Sequence, residues 1–238
     1  MPLRAVFIDA GNTLLYEKPS RFEIYALAAR RRGLDLSAER MTDLMRQAHR
    51  ELPREIDGAF RYSEGWFSSY IERIFHEGLD LSRSELPAVR DELFARFADP
   101  RTFHLFPGGL ELLEALRRRG LAVGVISNWS QRLPGILAGL GVSDHLDFVL
   151  ASAIERVEKP APEIFARACA RAGVEPSAAI HAGDDVDKDV RGARAAGLRA
   201  VRVDHAGGPR GGIADDPATG APLVGSLWDL SDWIAHVA

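Results

Sequence analysis

Residues 3–15 read LRAVFIDAGNTLL, and the rest of the chain is best read outward from this stretch. Leu3–Ile8 is a short run rich in branched and aromatic side chains, ended by Asp9-Ala10-Gly11-Asn12. That pattern predicts a buried strand followed by a tight turn. Four helical patterns follow, over 20–32, 37–50, 63–77 and 84–97. In the first, Phe22, Tyr25, Ala26 and Ala29 recur at helical spacing before Gly33 stops it. Ser37 and Ser63 stand where N-caps belong, and no strand candidate interrupts this stretch.

After Pro107 helices and strands alternate. Strands are predicted at 121–126, 148–151, 178–182 and 199–203. Helices lie between them at 109–119, near 132–139, from Pro162 to Gly173, and at 190–196. Proline suits the first helical turn and glycine the position just past the last. Alternating units of this kind imply a parallel sheet with helices on both faces. The expected architecture is therefore α/β: a parallel five-stranded sheet core from residues 1–16 and 103–238, interrupted after its first strand by a helical insert over 17–102. Residues 205–221, rich in Gly, Pro and Asp, read as a loose loop.

Composition narrows the function. The 238 residues are 46% hydrophobic and 27% charged, with a net charge of −4. That balance suits a well-buried core and argues against nucleic-acid or membrane-surface binding, because no face is flooded with cations. No apolar run approaches the ~20 residues of a membrane helix, and no signal-peptide pattern opens the chain; a soluble, cytoplasmic monomer or homodimer is expected. Cys169 is the single cysteine, so no intrachain disulfide exists, and its helix face marks it as a core residue. Lysine is scarce, at Lys18, Lys159 and Lys188 alone.

In open α/β sheets functional groups gather at the carboxyl ends of the strands. Here those ends carry Asp9 to Thr13, Ser127-Asn128, and Gly183-Asp184-Asp185-Val186-Asp187-Lys188-Asp189, while Glu158-Lys159-Pro160 precedes the helix opened by Pro162. Each loop also has an ordinary reading. A carboxylate after a strand forms turns, Ser127-Asn128 can cap the next helix, and Asp187 suits a solvated helix start. His181 falls on a buried strand and reads as a core histidine, and Tyr62 and Trp66 read as packing of the insert.

Four segments in order, FIDAGNTLL, ISNW, EKPAPEIF and HAGDDVDKDVRGARAAG, resemble the motifs of the haloacid dehalogenase superfamily, in the subgroup whose helical cap lies between the first two. The resemblance covers nearly the whole chain and implies a Rossmann-like core with an α-helical cap. It implies Asp9 as carboxylate nucleophile, and Ser127, Asn128 and Lys159 as the groups holding a phosphate. Magnesium would be bound by Asp9, the Gly11 carbonyl and Asp184, with Asp189 behind them. The chemistry agrees: a carboxylate attacking a phosphate joins two anions, and a hard cation with oxygen ligands offsets their repulsion. An aspartate at its usual pKa of about 3.9 needs no activating base. The expected substrate is a small phosphorylated metabolite, hydrolysed through an aspartyl-phosphate.

Two positions depart from the pattern. Phosphatases of this family read Asp-x-Asp-x-Thr, the second Asp moving the proton, and here that position is Gly11. General acid–base catalysis is worth roughly 10²–10⁴ in rate. Asn12 replaces the usual glycine, but asparagine tolerates left-handed backbone. Two alternatives stay open: a metal-independent dehalogenase, whose halide leaves unprotonated, and a weakened phosphate-binding regulatory protein. The crowded acids of the fourth motif disfavour the first.

Overall fold

The computed structural model describes residues 2–237. The chain opens with β1 (Ala5–Ile8), whose four residues are all buried. After a turn come β2 (Leu15–Glu17) and a helical unit of α1 (Arg21–Arg30), α2 (Ala38–Glu51), α3 (Glu64–Glu72) and α4 (Leu86–Ala98). A short hairpin, β3 (Glu55–Ile56) and β4 (Ala59–Phe60), joins α2 to α3. The chain returns through β5 (Phe103–Leu105), which pairs antiparallel with β2 so that Leu15 faces Leu105. Exit and re-entry of the helical unit therefore lie side by side.

Alternation then proceeds as α5 (Gly109–Arg118), β6 (Ala122–Ser127), α6 (Leu133–Gly139), β7 (Phe148–Ala151), α7 (Ser152–Glu155), α8 (Pro162–Ala172), β8 (Ala179–Gly183), α9 (Gly192–Ala195) and β9 (Arg199–Val203). The last elements are β10 (Ile213–Asp215), β11 (Pro222–Val224) and α10 (Leu227–Val237). The main sheet runs β10-β11-β9-β8-β1-β6-β7, parallel throughout except for β10. Within the stretch β9-β8-β1-β6-β7 the middle strand is β1, with Val6 opposite Val123 on one side and Ile180 on the other.

Strand side chains alternate between faces, and β1 uses both. Val6 and Ile8 join one core with Leu112, Leu113, Leu227 and Ile234 from α5 and α10. Ala5 and Phe7 join another with Ile164, Phe165 and Cys169 from α8. A strand covered on both faces is continuously apolar, which is why LRAVFI reads as it does. The helical unit has its own core, including Tyr25, Met41, Trp66, Phe75 and Leu93. Ser37 and Ser63 cap α2 and α3 as expected, accepting from the Arg40 and Trp66 amides.

The structure corrects the sequence reading in several places. The sheet has seven strands; the expected five are its parallel body, and β11 and β10 extend it. The supposed loose loop 205–221 contains β10, an edge strand whose three residues are all exposed, so burial leaves no apolar alternation to read. The insert is not purely helical. Asp57 and Gly58, both at positive φ, close the β3–β4 hairpin, the two-residue Asp-Gly turn that matches strand twist. Helix α10 was not predicted either. Among the described residues no helix is long and apolar enough to cross a membrane.

Candidate active site

Asp9 leaves the carboxyl end of β1, is 7% exposed, and donates its amide to the Ala182 carbonyl at 2.9 Å. The turn beyond it is held by Leu14 and Leu15 amides donating to the Ala10 carbonyl, each at 2.9 Å. Asn12 takes the left-handed conformation, φ 58°, as its side chain permits. Its amide also reaches Asp184 Oδ2 at 3.5 Å. Thr13 is fully buried, with no partner for Oγ1 among the described residues.

Parallel pairing brings three further loops to this edge. Ser127 ends β6 and is buried, and its hydroxyl helps to stabilise the Asp9 carboxylate. Asn128 clamps the Lys159 backbone, accepting from its N–H at 2.8 Å and donating to its carbonyl at 2.9 Å. The Lys159 Nζ, almost wholly buried, lies 2.7 Å from Asp9 Oδ1 and 2.5 Å from Asp189 Oδ1. Asp189 also accepts from His181 Nε2 at 2.9 Å and from the Asp185 amide at 3.0 Å. Both Asp189 oxygens are thus engaged inside the protein, while Asp184 stands freer.

The electrostatics follow from burial and from these pairs. Burial raises the Asp9 pKa, with Lys159 working against the rise. Burial also opposes charge on Asp189, but Lys159 and His181 outweigh it and hold its carboxyl well below the usual range. Lys159 is likewise buried, yet Asp189 and Asp9 keep it firmly protonated. Burial pushes His181 down, so it is neutral, donates through Nε2, and leaves Nδ1 unpartnered among the described residues. Asp184 is pushed up to about 7, first by burial and then by Asp9 and Asp189. Carboxylate oxygens of Asp9, Asp184 and Asp189 lie within 4.8 Å of one another. Three carboxylates sharing one ammonium are short of positive charge, and an all-oxygen donor set suits a hard divalent cation.

Between this edge and the helical unit lies a cavity of about 160 Å³, bordered by Asn128, Trp129, Tyr62, Trp66, Arg21 and Arg132 among others. Tyr62 and Trp66 do pack, Trp66 being fully buried and donating to the Pro53 carbonyl at 2.8 Å. Both also wall the cavity, beyond the packing role read from sequence. Gly11 faces Trp129: a Cβ built on it would stand 3.0 Å from Trp129 Cζ3 and 3.8 Å from Arg21 Nη2. The sequence reading missed His181 as a partner of Asp189, and it missed Trp129, Glu158 and Arg21. Two of these had a signal, since Trp129 follows Ser127-Asn128 and Glu158 precedes Lys159.

A largely parallel sheet covered on both faces, with a carboxylate, a lysine and an acidic cluster gathered at the carboxyl ends of its strands, marks an α/β-class protein with a Rossmann-like core and an acidic site. The chain belongs to the haloacid dehalogenase-like hydrolases, whose family model matches residues 3–197. It is 34% identical over 209 residues to the human haloacid dehalogenase-like hydrolase domain-containing protein 3, covering 85% of this chain and 82% of that one. It is 31% identical over 248 residues to a phosphoserine phosphatase of Thermus thermophilus, covering 96% and 98%. The solved 2-haloacid dehalogenase of Pseudomonas syringae pv. Tomato superposes with a TM-score of 0.67 at 25% identity, covering 99% and 100%.

Proposed function

We propose that this chain is a magnesium-dependent phosphomonoester hydrolase acting on a small phosphorylated metabolite. The observation that carries this reading is the shortage of positive charge around Asp9, Asp184 and Asp189. A dehalogenase that expels halide without a metal has no need of that acidic edge. Similarity to a phosphoserine phosphatase over nearly the whole chain supports it.

In this reading Asp9 is the nucleophile, and Lys159 holds its carboxylate in place and meets the phosphate charge. Ser127 and Asn128 bind the phosphate oxygens. Magnesium, held by Asp9, the Gly11 carbonyl and Asp184, would offset the repulsion between nucleophile and phosphate. Asp189 positions Lys159 and completes the acidic edge from behind. Residues 17–102 act as a cap that excludes water, with 1–16 and 103–238 as the core.

A second reading, dehalogenation, draws support from Gly11, because a leaving halide needs no proton. One experiment separates the two: phosphate and halide release from a panel of phosphorylated metabolites and haloacids, with and without magnesium, in wild type and Asp9→Asn. Magnesium-dependent phosphate release, lowered more than tenfold in the variant, is expected. Halide release without magnesium, or a variant keeping more than a tenth of the turnover, would overturn the proposal.

A further inference from the structure

The cavity beside Gly11 and the missing acid point to one kind of substrate. We propose that the enzyme acts on aryl phosphates, with the phenolic ring seated in the aromatic cavity and the phenolate oxygen leaving beside Arg21. This rests on the phosphatase reading above and names its substrate class.

The first observation is the cavity. It opens where the Asn128 loop ends, and its walls include Tyr62, Phe67, Phe94 and Trp129. At about 160 Å³ it matches the roughly 150 Å³ apolar cavities that take up benzene. Polar groups such as Arg21, His49, Asn128 and Arg132 also line it, but apolar surface predominates, so a polyhydroxylated sugar would leave some hydroxyls stripped of water with too few partners. A flat ring instead gains edge and face contacts.

The second observation is independent and concerns proton supply. Gly11 offers no side chain to protonate a leaving oxygen. In its place a guanidinium stands close: Arg21 Nη2 lies 3.8 Å from where a Cβ on Gly11 would be. Arg21 cannot act as an acid at neutral pH, but it can stabilise an anion. That arrangement serves leaving groups that depart charged. A phenol such as that of tyrosine has a pKa of about 10, against about 15.7 for water, which makes alkoxides far poorer leaving groups. Glu17 Oε1 lies 2.7 Å from the same Nη2 and fixes the guanidinium in that position.

The step balances as follows. An Asp9 carboxylate oxygen forms a bond to phosphorus, and the bond from phosphorus to the aryl oxygen breaks. The electron pair stays on that oxygen, giving a phenolate beside Arg21. Water then attacks the phosphorus, restoring the Asp9 carboxylate and releasing phosphate, and the phenolate takes up the proton that the water gives up.

Steady-state kinetics on the magnesium-loaded enzyme test this, with phenyl, 4-nitrophenyl and glycerol phosphates and inorganic phosphate release as readout. Phenyl phosphate should exceed glycerol phosphate in kcat/KM by more than about a hundredfold, the range over which a general acid otherwise matters. Arg21→Gln should lower kcat on phenyl phosphate by about a hundredfold, the lower end for losing one donor to a developing anion, and on 4-nitrophenyl phosphate by much less, with Arg21→Lys restoring part of the loss. A purely structural role for Arg21 would lower both aryl substrates alike. Phe67→Ala should raise KM for the aryl esters by a larger factor than for glycerol phosphate. Preference for glycerol phosphate, or equal losses on both aryl esters in Arg21→Gln, overturns this inference and leaves the phosphatase reading standing. No phosphate release from any of the three esters overturns both.

Discussion

Arg61, just past the β3–β4 hairpin, sets its Nη1 3.2 Å from Oε1 of Glu158, the residue immediately before Lys159. Arg54 reaches the same oxygen at 3.0 Å. Glu158 is 5% exposed, so both arginines bring the helical unit's charge to a buried carboxylate on the sheet side. Arg132–Glu64 at 2.6 Å and Arg156–Glu55 at 3.0 Å span the same seam. The helical unit is therefore held against the loop that carries Lys159.

Glu158→Gln keeps the shape and removes the charge that Arg54 and Arg61 share. A charge-assisted hydrogen bond contributes about 1.5–3 kcal/mol, but the Gln oxygen still accepts and Arg54 is exposed, so the total loss should be about 1.5 kcal/mol. The melting temperature should fall by roughly 3–6 °C. KM should rise several-fold with a smaller change in kcat, because closure over the substrate weakens. Thermal melts and steady-state kinetics check both; an unchanged Tm and KM would show that the seam is held elsewhere.

Magnesium should stabilise the fold, because a ligand that binds only the native state adds about 2.7 kcal/mol at a hundred times its Kd. Asp184→Ala should weaken that gain. Without metal the same variant should melt no lower than wild type, since Asp184 faces the like charges of Asp9 and Asp189. Calorimetry with magnesium and with a chelator decides. A metal-free variant much less stable than wild type would mean that Asp184 holds the fold rather than a cation.

His49 supplies a pH dependence. Burial first, then the charges of Arg61 and Lys188, push its pKa down to about 4, and its Nε2 lies 3.1 Å from the Tyr62 hydroxyl. Below about 6.5 the unfolded chain protonates this group while the folded chain does not. Stability from His49 is thus fully present above pH 6.5 and is lost as pH falls toward 4. His49→Gln should flatten the melting temperature across that window. Parallel pH profiles for wild type and variant would refute the assignment.

Gly11→Asp tests the missing acid, and Trp129 stands in its way. Gly11 is not among the residues at positive φ, so the obstacle is not backbone conformation. It is the 3.0 Å approach of a Cβ to Trp129 Cζ3. Overpacking of this kind costs about 1–3 kcal/mol, so the single variant should lose stability. Gly11→Asp with Trp129→Ser should relieve the crowding and speed hydrolysis of the aspartyl-phosphate. In wild type an activated aryl phosphate should give a burst and then slow turnover. Rapid-quench kinetics check this: no burst in wild type, with no faster steady state in the double variant, would mean that another group already moves the proton.

Asp9, Ser127, Lys159 and Asp184 could be found from sequence because each sits at the end of a strand or the start of a helix. Such boundaries leave local marks: an apolar run that stops, a proline at a first turn, a glycine after a last one. The parallel body of the sheet was readable for the same reason, since burial on both faces writes itself into consecutive residues. Edge strand β10 was not, because exposed residues carry no such constraint. The pairs that join the two layers left no local mark at all. Glu158 meets Arg54 and Arg61 across 104 and 97 positions, and Arg21 comes beside Gly11 only because β2 turns the chain back over the site. Periodicity records what a residue is buried against on its own element, whereas a contact between layers depends on how whole elements pack. The convergence of Asp9 with the charges around it was thus legible from the chain, and the shape of the space before them came from packing alone.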